Sequence, residues 1–133
     1  MDTQYRFLPL LGRVMLGLPF LMSGLGKLAG YSATVAYIAA VGMPFPPLAY
    51  AGSVLVEVGG GLLMLLGYRA RLVSFVMALF CLATALFFHR NFADQNQMIH
   101  FLKNVMIAGG FLQITYFGAG PLSLDARLDK AGR

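Results

Sequence analysis

The segment from Pro47 to Gly67 (PLAYAGSVLVEVGGGLLMLLG) is apolar except for one carboxylate, Glu57, near its middle. About 20 residues of helix at ~1.5 Å each match a bilayer core of ~30 Å. A carboxylate roughly 15 Å from either end of such a helix is costly unless it is paired, protonated or turned toward water. Glu57 is therefore a functional-site candidate, and the rest of the chain has to supply its partner.

The whole sequence fits that reading. Of 133 residues, 59% are hydrophobic and 11% charged, against about 25% charged in a soluble domain. An integral membrane protein follows, with the lipid bilayer as its first partner and room for one domain (residues 1–133) of about four transmembrane helices. The net charge of +5 is spread along the chain and flanks apolar runs. It reads as a topology signal and not as a nucleic-acid patch. The single cysteine, Cys81, allows no internal disulfide and no CxxC pair, so any redox chemistry would run through a bound cofactor or a partner. The start, MDTQYRFLPLLGRVMLG, lacks the basic-then-apolar order of a signal peptide and reads as a retained first span.

Span one is expected over about Phe7–Leu28, with small packing residues Gly12, Gly17, Ser23, Gly24 and Gly26, a kink at Pro19 and Lys27 at its far end. Tyr31–Val41 is helix-compatible but too short to cross, which predicts an interfacial helix between spans one and two. Span two, Pro47 to about Leu66, puts Ser53, Glu57 and Gly61 on one inward stripe. Span three, about Leu72–Phe88, gathers Ser74, Ala78, Cys81 and Ala85 on one face. A polar loop from Asn91 to Gln97 leads to span four, about Met98–Phe117, which carries His100, Lys103 and Asn104. Arg6, Arg69, Arg71, Arg127, Lys130 and Arg133 fall on one side, and Lys27, Arg90 and Lys103 on the other. The positive-inside rule then predicts an all-α, four-helix, up-and-down transmembrane bundle with both termini cytoplasmic.

Counting residues from the span ends makes Arg13 the first choice as partner of Glu57, with Lys103 as the alternative. Such a pair either locks the bundle or serves a site. His89 and His100 flank the outer loop as interfacial anchors or, less favoured, as haem or metal ligands; their spacing matches no compact ligand set, and no metal is expected. Tyrosines near the span ends suit an aromatic belt or the lining of a quinone pocket.

Three stretches carry a family resemblance: LGRVMLGLPFLMSGLGKLAGY, EVGGGLLMLLGYRAR and FHRNFADQNQMIHFLKNVMIAGGFLQITYFGAGPLSLD. Together they resemble the DoxX family of small bacterial membrane proteins, over about Leu11–Leu128. The resemblance implies a four-helix bundle in the bacterial inner membrane. The family's name comes from a subunit of a thiosulfate:quinone oxidoreductase, and some members associate with thiol or oxidative-stress enzymes. The expectation is thus a redox-associated membrane subunit, with a partner enzyme or a second copy of itself as its protein partners, that binds a quinone or similar apolar ligand between its helices. Glu57 and Lys103 would be its catalytic groups, and Arg13, His100 and Asn104 its cofactor-binding groups. A non-enzymatic anchoring or assembly protein and a small proton-linked permease are the alternatives.

Overall fold

A computed structural model describes residues 3–132; Arg133, one of the charges used to orient the chain, lies outside them. A short turn at Thr3–Tyr5 precedes α1 (Leu8–Ala29) and α2 (Tyr31–Ala40). The next rod is composite: α3 (Pro46–Val54), a π-helical turn (Leu55–Gly59) and α4 (Gly60–Leu66). Then come α5 (Ala70–Phe88), α6 (Gln95–Phe117) and α7 (Leu124–Ala131), with no strand among the described residues.

Local sequence sets these boundaries. Proline stands at the start of α1 and of α3, where its missing N–H is not needed. Gly67, in a left-handed conformation at φ 69°, closes α4 by returning its N–H to Leu63 O at 2.8 Å. Asp94 caps α6 and Ser123 caps α7, each accepting from a backbone N–H of the first turn. α1 continues through Pro19.

Burial is inverted relative to a water-soluble protein. Leu11, Met15, Leu18, Met22 and Leu25 are exposed along α1, while Arg13 of the same helix is 1% exposed and Glu57 is 4% exposed. Apolar surface outside and charges inside is the arrangement a lipid solvent selects. Three rods are long and apolar enough to cross a membrane: Thr3–Ala29, Pro46–Leu66 and Ala70–Phe88. α6 has the length, ~34 Å for 23 residues, but its first half carries the polar residues Gln95, Asn96, Gln97, His100, Lys103 and Asn104. It packs chiefly on α5, through Ala108 and Phe111 against Ala78 and Cys81. The expected α5 stripe of Ser74, Ala78, Cys81 and Ala85 is fully buried.

α1 and α4 approach closely because both offer glycine at the crossing. A Cβ on Gly17 would sit 2.8 Å from Met64 Cβ, and one on Gly61 would sit 2.9 Å from Gly17 O. Below the π turn, α4 packs on α5; above it, α3 has no extensive contact with α5. The two rods splay from the level of Glu57, and that divergence makes room for a site.

Candidate functional site

The π turn is where Glu57 sits. A π turn inserts a residue into the helical repeat, and such turns recur at functional positions. Ser23 and Lys27 lie four apart on one face of α1 and converge on the carboxylate. Ser23 Oγ donates to Oε1 at 3.0 Å, and Lys27 Nζ donates to Oε2 at 2.6 Å. The Tyr50 hydroxyl donates to Lys27 O at 3.0 Å, satisfying a carbonyl at the end of α1. Gly24 permits this approach: a Cβ there would lie 3.0 Å from Val58 N and 3.1 Å from Glu57 Cβ.

The partner of Glu57 is therefore Lys27, and not Arg13 or Lys103. Counting inward from the span ends assumed that α1 and the second rod end at one level. Instead Gly24, five residues from the end of α1, stands beside Glu57, eleven residues from the start of α3. The α3 end thus overhangs α1 by roughly six residues, or about 9 Å, and Lys27 rather than Arg13 comes within reach.

Arg13 has other work. Its Nε donates to Ala119 O at 3.0 Å, and its Nη1 to Met64 O at 2.8 Å and Leu65 O at 3.1 Å. Its Nη2 donates to Leu122 O. Four carbonyls from the end of α4 and from the α6–α7 connection are gathered by one planar fork, a task suited to guanidinium and not to an ammonium. Asp125 completes this end by accepting from the N–H groups of Arg69 (2.7 Å) and Ala70 (2.9 Å), which caps α5 from a distant helix.

A cavity of about 630 Å³ opens beside Glu57, between α1, α2, α3 and α5. Ser23, Lys27 and Glu57 form its polar wall; Ile38, Phe80 and Phe87 are among its apolar residues, and His89 and His100 also line it. The two imidazoles stack with centroids 5.0 Å apart. Burial, and then the neighbouring His100, lower the His89 pKa from its usual value. Tyr37 of α2 stacks on Phe88 of α5 with centroids 5.3 Å apart, bridging α2 to α5 across the cavity. No third His, Cys, Asp or Glu joins the histidines to form a metal-binding group among the described residues.

Of the five residues expected at a site, Glu57 and His100 line this cavity, while Arg13, Lys103 and Asn104 do not. Lys103 is exposed on α6, and the Asn104 amide donates back to His100 O at 2.9 Å. Ser23 and Lys27 enter as new members. Their i, i+4 spacing around Gly24 was the available signal, a polar pair on a face otherwise built for close helix contact.

Comparison with known proteins finds a family and two full-length relatives. Residues 8–90 match the DoxX family model. The chain is 39% identical over 123 residues to inner membrane protein YqjF of Escherichia coli K12, covering 91% of this chain and 92% of that one. It is 37% identical over 123 residues to inner membrane protein YphA of the same organism, covering 89% and 88%. No solved structure matches.

Proposed function

This chain belongs to the DoxX family, and from that premise we propose an inner-membrane protein whose cavity binds a quinone or a similar apolar ligand, in association with a redox partner. The observation that carries the reading is the cavity itself: about 630 Å³, walled largely by apolar side chains, with one ion pair at its side. That size and that mixture of an apolar lining with a few polar groups are typical of small-molecule sites. A ring carbonyl is an acceptor, and Lys27 supplies three N–H donors of which Glu57 uses one. Ser23 steadies Glu57, Glu57 holds the ammonium in place, and the ring and tail lie against Phe80, Phe87 and Ile38. In this reading Glu57 and Lys27 handle protons at the head group, and His89 and His100 link the site to water. The protein itself supplies no dithiol, so electrons pass between the quinone and a partner protein.

The proposed topology has four crossings, with α6 as the fourth. The polar start of α6 and the short α2 lie at the outer interface, and both termini are cytoplasmic. Arg6, Arg69, Arg71, Arg127 and Lys130 support that orientation. One observation favours an assembly role instead: the Glu57 carboxylate is already satisfied within the chain by Ser23 and Lys27. Extraction of protein purified from native membranes, followed by mass spectrometry of the bound lipids, separates the two. The expected result is stoichiometric quinone that is lost on Thr84→Phe, which fills the cavity without touching the ion pair. Quinone-free protein with no binding of a short-chain analogue would leave the assembly role.

A further inference from the structure

At the opposite end of the molecule a second cavity, of about 710 Å³, lies between the α4–α5 turn, the end of α6 and α7. Four charged residues line it: Arg69 and Arg71 from the turn and the start of α5, and Asp125 and Asp129, four apart on one face of α7. Opposite charges around one cavity ordinarily pair, yet among the described residues the ion pair is Lys27–Glu57, at the other end. Asp125 is held by the N–H groups of Arg69 and Ala70. Arg71 donates from Nη1 to the carbonyls of Thr115 and Tyr116. These bonds hold Arg71 and Asp125 in the walls, and no ion pair joins any two of the four charged groups around the space. Arg69 also occupies a left-handed backbone position, φ 47°, that favours glycine or asparagine. Its guanidinium lies over the Tyr68 ring, 5.8 Å from the centroid.

The rim indicates what kind of molecule enters. Leu72, in the first turn of α5, and Phe117, at the end of α6, line the same cavity and are exposed. Leu124 and Leu128 are exposed on the neighbouring α7, whose other residues are mostly charged, the pattern of a helix lying in a membrane interface. The cavity therefore sits where α5 enters the bilayer, charged within and apolar at its lip.

We propose that this cavity seats the headgroup of a zwitterionic aminophospholipid. The phosphodiester lies on Arg69 and Arg71, the primary ammonium on Asp129 and the free lone pairs of Asp125, and the acyl chains leave over Leu72 and Phe117. A phosphatidylglycerol would satisfy the arginines and leave Asp129 unpaired. A phosphatidylcholine would bring a trimethylammonium with no N–H to donate.

The test is competitive retention by native mass spectrometry of the full chain in mild detergent. The probes are phosphatidylethanolamine, phosphatidylglycerol and phosphatidylcholine of matched chains. The ethanolamine lipid should be retained about tenfold over the others, the effect of one charge-assisted hydrogen bond. Asp129→Asn should abolish that preference with the melting temperature in detergent alone unchanged, since Asp129 is exposed and outside the capping contacts. Glycerophosphoethanolamine, the same headgroup without acyl chains, should not displace the lipid. Equal retention of all three lipids, a preference for phosphatidylglycerol, an Asp129→Asn protein that still selects ethanolamine, or displacement by the soluble headgroup would overturn the assignment.

Discussion

Replacing Lys27 by Met removes the cation but leaves Glu57 in its π turn, with the Ser23 hydroxyl as its remaining donor. The two side chains are unequally placed: that of Glu57 is 6% exposed and that of Lys27 is 29% exposed. Breaking a buried ion pair from one side costs roughly 3–5 kcal/mol when the remaining charge is trapped. Lys27→Met approaches that case, and a loss of about 3 kcal/mol is expected. Glu57→Gln is the milder perturbation. The freed ammonium already reaches the surface, and the glutamine oxygen still accepts from Ser23, so the loss is about 1–2 kcal/mol, one charge-assisted hydrogen bond. The double variant strands no charge and should lose less than Lys27→Met alone, a coupling of about 2 kcal/mol. Melting temperatures in one detergent, at about 4 °C per kcal/mol for a chain of this size, resolve these differences. Additive losses, or a Glu57→Gln protein less stable than Lys27→Met, would refute the reasoning.

Three further outcomes follow from the same structure. Arg13→Met should destabilise by about 3–4 kcal/mol by leaving carbonyls at the end of α4 and beside α7 without donors, and Arg13→Lys should rescue little, because one ammonium cannot span four acceptors; full rescue in a thermal melt would contradict the clamp. Gly24→Ala should cost about 1–3 kcal/mol by forcing α1 from the π turn, whereas Gly12→Ala, with nothing within 4 Å, should be neutral or stabilising in the same assay. His89 is held below its usual pKa, so the folded state binds its proton less readily than the unfolded chain does. Stability should therefore be full above pH ~6.5 and fall as pH drops through that value; a His89→Gln protein should lose that component, and an unchanged pH profile would remove it from the account.

How far the sequence reveals this molecule depends on the range of the interaction involved. The helix of Tyr31–Ala40, the stop at Gly67 and the buried face of Ser74, Ala78, Cys81 and Ala85 arise from residues within a few positions of one another. Proline, glycine and a 3.6-residue period are enough to read them. The same reasoning identifies Glu57 as the buried carboxylate. It fails on the partner because the depth of Glu57 relative to α1 depends on an overhang that no single helix encodes. The π turn escapes for a related reason: LVEVG is an ordinary apolar helix by composition, and the turn packs Glu57 and Val58 against Gly24 of a distant helix. Asp125 and Arg13 are similar cases, since each caps helices more than fifty positions away. α6 begins at Gln95 and not at about Met98 because Asp94 caps it, a local signal hidden within a loop that reads as uniformly polar.

Photolabelling of the cavity is the most direct measurement of the proposed role. An azido-quinone irradiated with the full chain in proteoliposomes should modify peptides from Thr34–Met43 and Phe80–His89, which face each other across the space beside Glu57. Labelling should be competed by unlabelled quinone and suppressed by Thr84→Phe. Uncompeted labelling spread over the lipid-facing residues of α1 and α6, with those two peptides unmodified, would contradict a quinone site in this protein.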